Sequence, residues 1–281
     1  MIDLHTHTTC SDGTDSPLAL VKKAASSGIT ILGLTDHDST AGWSEAISSL
    51  HGDLALVLGA EVSCLTEDGV SVHMLGLLFD GENQPLQQLL ADSRDTRIPR
   101  MKKMIENLQG AGFDITLEDV AAATPAGATL GRPHLADALV AKKIIKSRDE
   151  AFAGLINNDS PHYVSHFAPT PEDSIRAIRA AGGVAVIAHP FASRRGETLT
   201  PDSFHSLVAA GLNGVEVFHR DQTEEERKQL IAIARELDLA ITGSSDYHGT
   251  GKLNQLGENT TAAAEWERLE SMADQRRVVS R

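Results

Sequence analysis

Residues Met1–Thr14 read MIDLHTHTTCSDGT. Ile2–Thr8 reads as a short strand, and His5 and His7, two apart, then leave the same face of it. Two neutral imidazoles side by side make a first pair of ligands for a borderline-soft divalent metal. Asp12, in the loop that follows, adds a hard oxygen ligand nearby. An HxH pair alone says little, because half-buried strands often carry two histidines by accident. Its weight comes from similar groups at the ends of other predicted strands.

Outward from that strand, short β-rich runs alternate with helical patterns. The predicted strands are Ile2–Thr8, Ile29–Thr35, Leu54–Ser63, Val70–Phe79, Val184–His189, Gly214–Phe218 and Leu239–Ser244. Most are continuous apolar runs, as in strands covered on both faces. Amphipathic segments lie between them at Ser16–Ser27, Trp43–Leu50, Pro171–Ala181, Pro201–Ala210 and Glu224–Leu237. Ser16-Pro17 and Thr170-Pro171 each join a hydroxyl cap to a proline in the first turn. Gly28, Gly182-Gly183 and Gly211 end helices before the next strand. This alternation implies a mostly parallel sheet, and seven such strands imply a closed or nearly closed α/β barrel.

From about Gly81 to His166 the rhythm gives way to helices and loops. We therefore expect a barrel of residues 1–80 and 167–281, with 81–166 as a helical insertion covering one end. That insertion carries Arg94, Arg97, Arg100, Lys102 and Lys103, then GRPH at Gly131–His134. Ala262–Arg281 reads as a charged surface helix that frays.

With 281 residues, 41% of them hydrophobic, the chain can bury one large core. The formal net charge of −14 argues against long duplex nucleic acid, whose binding calls for a basic patch. A phosphate can still bind where positive charge is local, on metal ions and a few arginines. No apolar run approaches the roughly 20 residues of a membrane span, and no signal-peptide pattern is present. Two cysteines, Cys10 and Cys64, cannot form a disulfide framework, so a cytoplasmic location is expected. Both read as small buried thiols.

Candidate metal ligands fall at strand ends, the end at which barrel enzymes place their sites. After His5, His7 and Asp12 come His37 in TDHD, Glu61 in GAEVS and His73 in VHMLG. His189 follows in VIAHP, and Asp246 and His248 in SSDYH. Each alone is explained by a satisfied core histidine or a turn-forming aspartate. Their recurrence at one end of one barrel favours a divalent-metal site.

DLHTHTTCSDGT, TDHD, GAEVS, AHP and SDYH, in that order, resemble the PHP family, the phosphoesterase domain of bacterial DNA polymerases and histidinol phosphatases. GRPHLADALV and the RDTR…MIENLQ helix resemble the stand-alone bacterial branch acting on nucleoside 3′,5′-bisphosphates and short RNA ends. The resemblance implies a distorted (β/α)7 barrel of the PHP type holding two or three divalent ions: manganese, zinc or iron. One ion would be held by His5, His7, Glu61 and Asp246. A second would share Glu61 and add His73 and His189. A third would take Asp12, His37 and His248.

The implied reaction is hydrolysis of a phosphate monoester, by a metal-bound water held by Glu61, His189 and Asp246. The expected substrate is a small phosphorylated one, a nucleoside 3′,5′-bisphosphate losing its 3′-phosphate to give the 5′-monophosphate. His134 and His219 are candidates for the general acid. Arg132 and His134 are the best substrate contacts, since guanidinium forks pair with phosphate, although GRPH also reads as a plain helix-entry turn. Arg194 and Arg195 could meet a second phosphate or sit in a solvated loop. His162 and His166 fall on the return from the insertion, and His51 and His205 read as surface residues. The rivals are a 5′–3′ exonuclease on short oligoribonucleotides, a histidinol-phosphate phosphatase, an amide hydrolase on a similar barrel and a non-catalytic PHP accessory module.

Overall fold

In the computed structural model, which describes residues 1–165, 168–274 and 278–281, seven strands lie side by side in chain order. They are β1 (Ile2–Asp3), β2 (Ile31–Leu34), β3 (Ala55–Leu65), β4 (Ser71–Leu77), β5 (Val184–Ala188), β6 (Gly214–Phe218) and β7 (Ala240–Gly243). The two ends of the sheet also meet. Thr6, beyond β1, bridges Tyr247, beyond β7, and the His7 N–H donates to the Tyr247 carbonyl at 2.9 Å. The result is a nearly closed barrel.

The first strand is shorter than expected because side chains take over its ladder. The Thr6 N–H donates to Thr35 Oγ1 at 3.1 Å, and the Thr6 hydroxyl donates to the Gly33 carbonyl at 2.5 Å. The two strands approach so closely that a Cβ on Gly33 would collide with the Leu4 carbonyl.

β4 is the exception in this mostly parallel sheet: it runs antiparallel to both β3 and β5, whereas the other neighbours in the barrel path pair parallel. The cause is the short connection between β3 and β4, since a parallel partner needs a crossover of a dozen or more residues. Here the chain reverses at Thr66–Val70. The Thr66 N–H donates to the Val70 carbonyl at 3.0 Å, the Val70 N–H donates to Thr66 Oγ1 at 2.8 Å, and Gly69 has φ +91°. Asp68-Gly69 is the local sign of such a hairpin. Because β4 is reversed, its first residues lie at the barrel end where its neighbours finish: His73 pairs with Ser63 and Ala188.

Helices α1 (Pro17–Ser26) and α2 (Trp43–Ser48) follow β1 and β2. Between β4 and β5 come α3 (Gln84–Asp95), α4 (Arg97–Gly110), α5 (Leu117–Ala123), α6 (Arg132–Ala141), α7 (Arg148–Glu150) and α8 (Pro171–Ala180). Then α9 (Ser203–Ala210), α10 (Glu224–Glu236) and α11 (Ala263–Ser271) complete the outer layer. Ser16 and Thr170 cap α1 and α8 by accepting the Ala19 and Asp173 N–H groups, with proline next in line, as expected.

One core packs α3, α8, α9 and α10 onto β3–β6. α1 and α2 close a second against β2 and β3. The insertion has its own core, whose buried members among the described residues run from Met101 to Ile156 and include Met104, Leu108, Leu135 and Leu139. Leu86 and Leu90 of α3 belong instead to the barrel core. The insertion also touches two barrel loops directly: the Thr129 N–H donates to the Cys10 carbonyl at 3.0 Å, and Arg148 Nη1 to the Gly251 carbonyl at 3.4 Å.

The C-terminal segment is not a fraying surface helix. α11 buries Trp266 and Leu269 in the barrel-side core, and β8 (Val278–Val279) pairs antiparallel with β3. Apolar side chains on one face of α11 outweigh its charge. Among the described residues, no helix is long and apolar enough to cross a membrane.

Candidate metal centre

Glu61, in the middle of β3 and 1% exposed, is where the predicted ligands meet. Its Oε2 lies 3.2 Å from His5 Nε2, 3.0 Å from His7 Nε2 and 3.2 Å from His37 Nδ1. Its Oε1 lies 2.8 Å from His73 Nδ1 and 3.3 Å from His189 Nε2. His5 Nε2 and His7 Nε2 are 3.0 Å apart, and each is 3.5 Å from Asp246 Oδ1. Beside them, Asp12 Oδ1 lies 3.2 Å from His248 Nε2, and Asp12 Oδ2 lies 3.8 Å from His37 Nε2. All nine predicted ligand residues therefore gather at one end of the barrel.

Ion-sized convergence can be tested on the groups themselves. His5, His7, Glu61 and Asp246 offer ligand atoms all within 4.8 Å of one another, and so do His7, Asp12, His37 and His248. His37, Glu61 and His73 form a third such set. Asp12 Oδ1, His37 Nδ1 and His248 Nε2 are buried without a hydrogen-bond partner, a costly state that a cation would relieve. Mixed imidazole and carboxylate donors suit zinc, manganese or iron. The residues present fit divalent metal.

The grouping differs in detail from the expected one. His7 contributes to two sets, His37 joins His73, and His189 clusters with His5 and Glu216, whose oxygens there meet His5 Nδ1 and the His189 backbone N–H. Glu216 escaped the sequence reading, although a lone acid in the apolar strand GVEVF was a signal for it.

Local backbone strain aims several of these groups. His189 and Asp246 have φ of +31° and +53°, and Asp38, next to His37, has +50°. Such conformations are rare for residues other than glycine and persist where the surroundings enforce them. Asp36 pins the loop carrying Asp12 by accepting from the Thr8 N–H at 2.7 Å, the Thr8 hydroxyl at 2.7 Å and the Ser11 hydroxyl at 2.6 Å. Asp38 accepts the Ser63 N–H at 2.8 Å and pairs with Arg97 of α4, whose Nε is 3.2 Å away.

The electrostatics follow from burial working against close opposite charge. Burial disfavours the protonated form of His7, but hydrogen bonds to Asp246 and Glu61 outweigh it and raise the group to about 9. His5 is likewise raised by Glu61, Glu216 and Asp246 against the pull of burial. Burial dominates at His37 and His248, which fall to about 3 and about 4. Although burial opposes it, Glu61 and Asp12 are held well below the usual carboxylate range by the adjacent imidazoles, and Asp246 by Lys252 and then His248.

The other predicted site residues lie around this cluster. His219 is buried: its Nδ1 accepts the Asp221 N–H at 3.0 Å, and its Nε2 lies 3.3 Å from Asp246 Oδ2. His134 is buried too, accepting the Gly131 N–H on Nδ1 at 3.0 Å, and its ring is also hydrogen-bonded to the Ser11 backbone. Arg195 Nη2 reaches Asp246 Oδ2 at 2.8 Å, whereas Arg194 is exposed on the same turn. Lys252, which the sequence reading missed, puts its Nζ 2.9 Å from the same Asp246 oxygen. Arg132 Nη1 donates to the Ile156 carbonyl at 3.1 Å and to Asn158 Oδ1 at 2.7 Å. His162 stands edge-on to Phe113, and His51 and His205 are exposed. His166 lies outside the described residues. Cys64 is buried, and Cys10 is half-buried.

The chain is similar to known proteins in sequence and fold. Residues 3–153 match the family model described as the PHP domain. A 5′-3′ exoribonuclease of Haemophilus influenzae is 32% identical over 92% of this chain and 93% of its own. A 3′,5′-nucleoside bisphosphate phosphatase of Chromobacterium violaceum is 31% identical over 89% of this chain and 88% of its own. A Bifidobacterium adolescentis protein provisionally described as a metal-dependent phosphoesterase superposes with a TM-score of 0.91 at 40% identity, covering 96% of both chains. A Chromobacterium violaceum structure described as an amidohydrolase, with bound sulfate and no metal, gives 0.87 at 29% identity over 98% of each chain.

Barrel, converging ligand sets and relatives together define a metal-dependent phosphoesterase. The chain belongs to the PHP family.

Proposed function

We propose that this enzyme removes the 3′-phosphate of a nucleoside 3′,5′-bisphosphate and releases the 5′-monophosphate. The observation that carries this reading is a pair of arginines on the insertion without an acidic partner. Arg100 and Arg132 flank the Tyr163 ring, their guanidinium carbons 5.2 and 5.1 Å from its centroid. Neither forms an ion pair among the described residues. Burial, and then the charge of Arg132, pushes Arg100 down to about 10. Positive charge held this way in a chain of net charge −14 calls for an anionic group on the ligand. Arg97, on the same helix as Arg100, ties this region to the turn carrying His37. A second phosphate fits that role, with residues 81–166 acting as a lid over the metal end.

His5, His7, Asp12, His37, Glu61, His73, His189, Asp246 and His248 would hold the divalent ions. When bound, such ions supply Lewis-acid activation of a phosphate oxygen and of the attacking water. The chain's own groups orient and bind. His219, fixed through Nδ1 by the Asp221 N–H, directs its Nε2–H at Asp246. Arg195 and Lys252 place positive charge beside Asp246 Oδ2, where non-bridging phosphate oxygens would be met. His219 has both ring nitrogens engaged, which argues against it as the acid for the leaving alcohol. Support for phosphate also comes from the sulfate in the Chromobacterium neighbour, a tetrahedral dianion of similar size.

Trimming of short 5′-phosphorylated RNA is the second reading, favoured by the Haemophilus exoribonuclease. If the arginines anchor a 5′-phosphate, both readings hydrolyse the ester at the ribose 3′-oxygen. They differ in whether the phosphorus carries a second nucleoside. The test compares kcat/KM with manganese for a 3′,5′-bisphosphate, the matching 3′- and 5′-monophosphates, a 5′-phosphorylated dinucleotide and histidinol phosphate. The bisphosphate is expected to lead by at least tenfold. Preference for the dinucleotide would select the second reading, and preference for histidinol phosphate would overturn both.

A further inference from the structure

Glu216 is fully buried at the centre of β6, flanked by Val215 and Val217 of the apolar core. Nothing apolar recommends a carboxylate there, so its two oxygens must be matched by donors. Both are. Oε1 lies 3.1 Å from His5 Nδ1, and Oε2 accepts the backbone N–H of His189 at 3.0 Å. The geometry at His5 is directional: its other nitrogen, Nε2, is the one facing Glu61, His7 and Asp246. A proton shared with Glu216 on Nδ1 therefore leaves the Nε2 lone pair aimed into the cluster. At His189 the same carboxylate holds the peptide of a residue whose φ is +31°, a conformation the chain would otherwise leave.

We propose that Glu216 is a positioning residue that fixes two candidate metal ligands at once, the ring orientation and tautomer of His5 and the strained backbone of His189. With both oxygens occupied by these donors, it orients ligands instead of binding the ion itself. Its place in the sheet makes this possible: β6 neighbours β5, which ends at His189, and the curl of the barrel brings its central residue under His5. Carboxylates behind metal-binding histidines commonly tune affinity by ten- to a hundredfold. The proposal rests on the metal reading of the site.

The test titrates the full-length metal-free protein with zinc, comparing wild type with Glu216→Gln, which keeps the side chain's size. The amide put in place of the carboxylate has a single oxygen, so it can accept from only one of the two donors. Zinc affinity is expected to fall ten- to a hundredfold while the circular dichroism spectrum of the folded protein is unchanged. A second measurement needs no variant: in wild type loaded with cadmium-113 and labelled with nitrogen-15 histidine, His5 should couple to the metal through Nε2 and retain a proton on Nδ1. Unchanged zinc affinity in a folded Glu216→Gln protein overturns the proposal, as does metal coupling through His5 Nδ1. Absence of zinc binding by wild type overturns the metal reading itself and this inference with it.

Discussion

With two oxygens, Glu61 faces the imidazoles of His5, His7, His37, His73 and His189, and this gives it a different weight from any single histidine around it. Glu61→Gln keeps the shape and removes the negative charge common to two ligand sets. We expect it to lower bound metal more than His73→Ala does, since His73 belongs to one set. Metal analysis of the purified variants measures this, and equal loss in both would deny Glu61 a bridging role. Arg132 acts at the same scale but toward substrate. Arg132→Ala should leave metal content unchanged and reduce kcat/KM for a bisphosphate roughly ten- to more than a hundredfold, the worth of a charge-assisted contact of about 1.5–3 kcal/mol. Hydrolysis of an aryl phosphate, which has no second anion, should change little. Because Arg132 also holds Ile156 and Asn158, the melting temperature must be measured beside the kinetics.

Two elements decide how the site is assembled. The Thr66–Val70 turn reverses β4 and so delivers His73 to the ligand end. Gly69, at φ +91° with open space around it, can be changed to alanine without a clash, so only backbone strain responds. Gly69→Ala should cost about 1–2 kcal/mol, read by denaturant unfolding, with metal content retained. The second element is α4, whose Arg97 pairs with the fully buried Asp38 one residue beyond His37. Arg97→Ala strands that carboxylate and should cost about 3–5 kcal/mol. A change of less than about 1 kcal/mol, the range of an exposed pair, would mean that α4 does not clamp the His37 turn.

At the scale of the whole molecule, ion binding and folding are coupled, because ligand atoms from both ends of the chain meet only in the native barrel. Chelation should abolish phosphate release and lower the melting temperature, and manganese or zinc should restore both. An ion present at a hundred times its Kd stabilises the native state by about 2.7 kcal/mol. Calorimetry with and without chelator tests this, and an unchanged transition would mean that the clustered groups bind no ion in the folded state.

Much of this protein is local physics and was legible in its residues. Strand and helix periods, the hydroxyl–proline caps at Ser16 and Thr170, and the HxH pair of His5 and His7 depend on neighbours a few positions apart. The ligand types likewise announce themselves at strand ends. What stayed hidden depends on pairing across long separations. The reversal of β4 was written in Asp68-Gly69, but its effect on His73 needed the neighbouring strands to be in place. The burial of α11 needed the barrel wall against which Trp266 packs. Glu216 meets His5 across 211 positions of chain, and Lys252 reaches Asp246 only after the loop beyond β7 has folded back. Sequence by itself determined which side chains could bind metal and the periods that make the barrel. Only the tertiary structure decided which of them share an ion's reach, because that distance is set by strand direction and sheet closure, not by spacing along the chain.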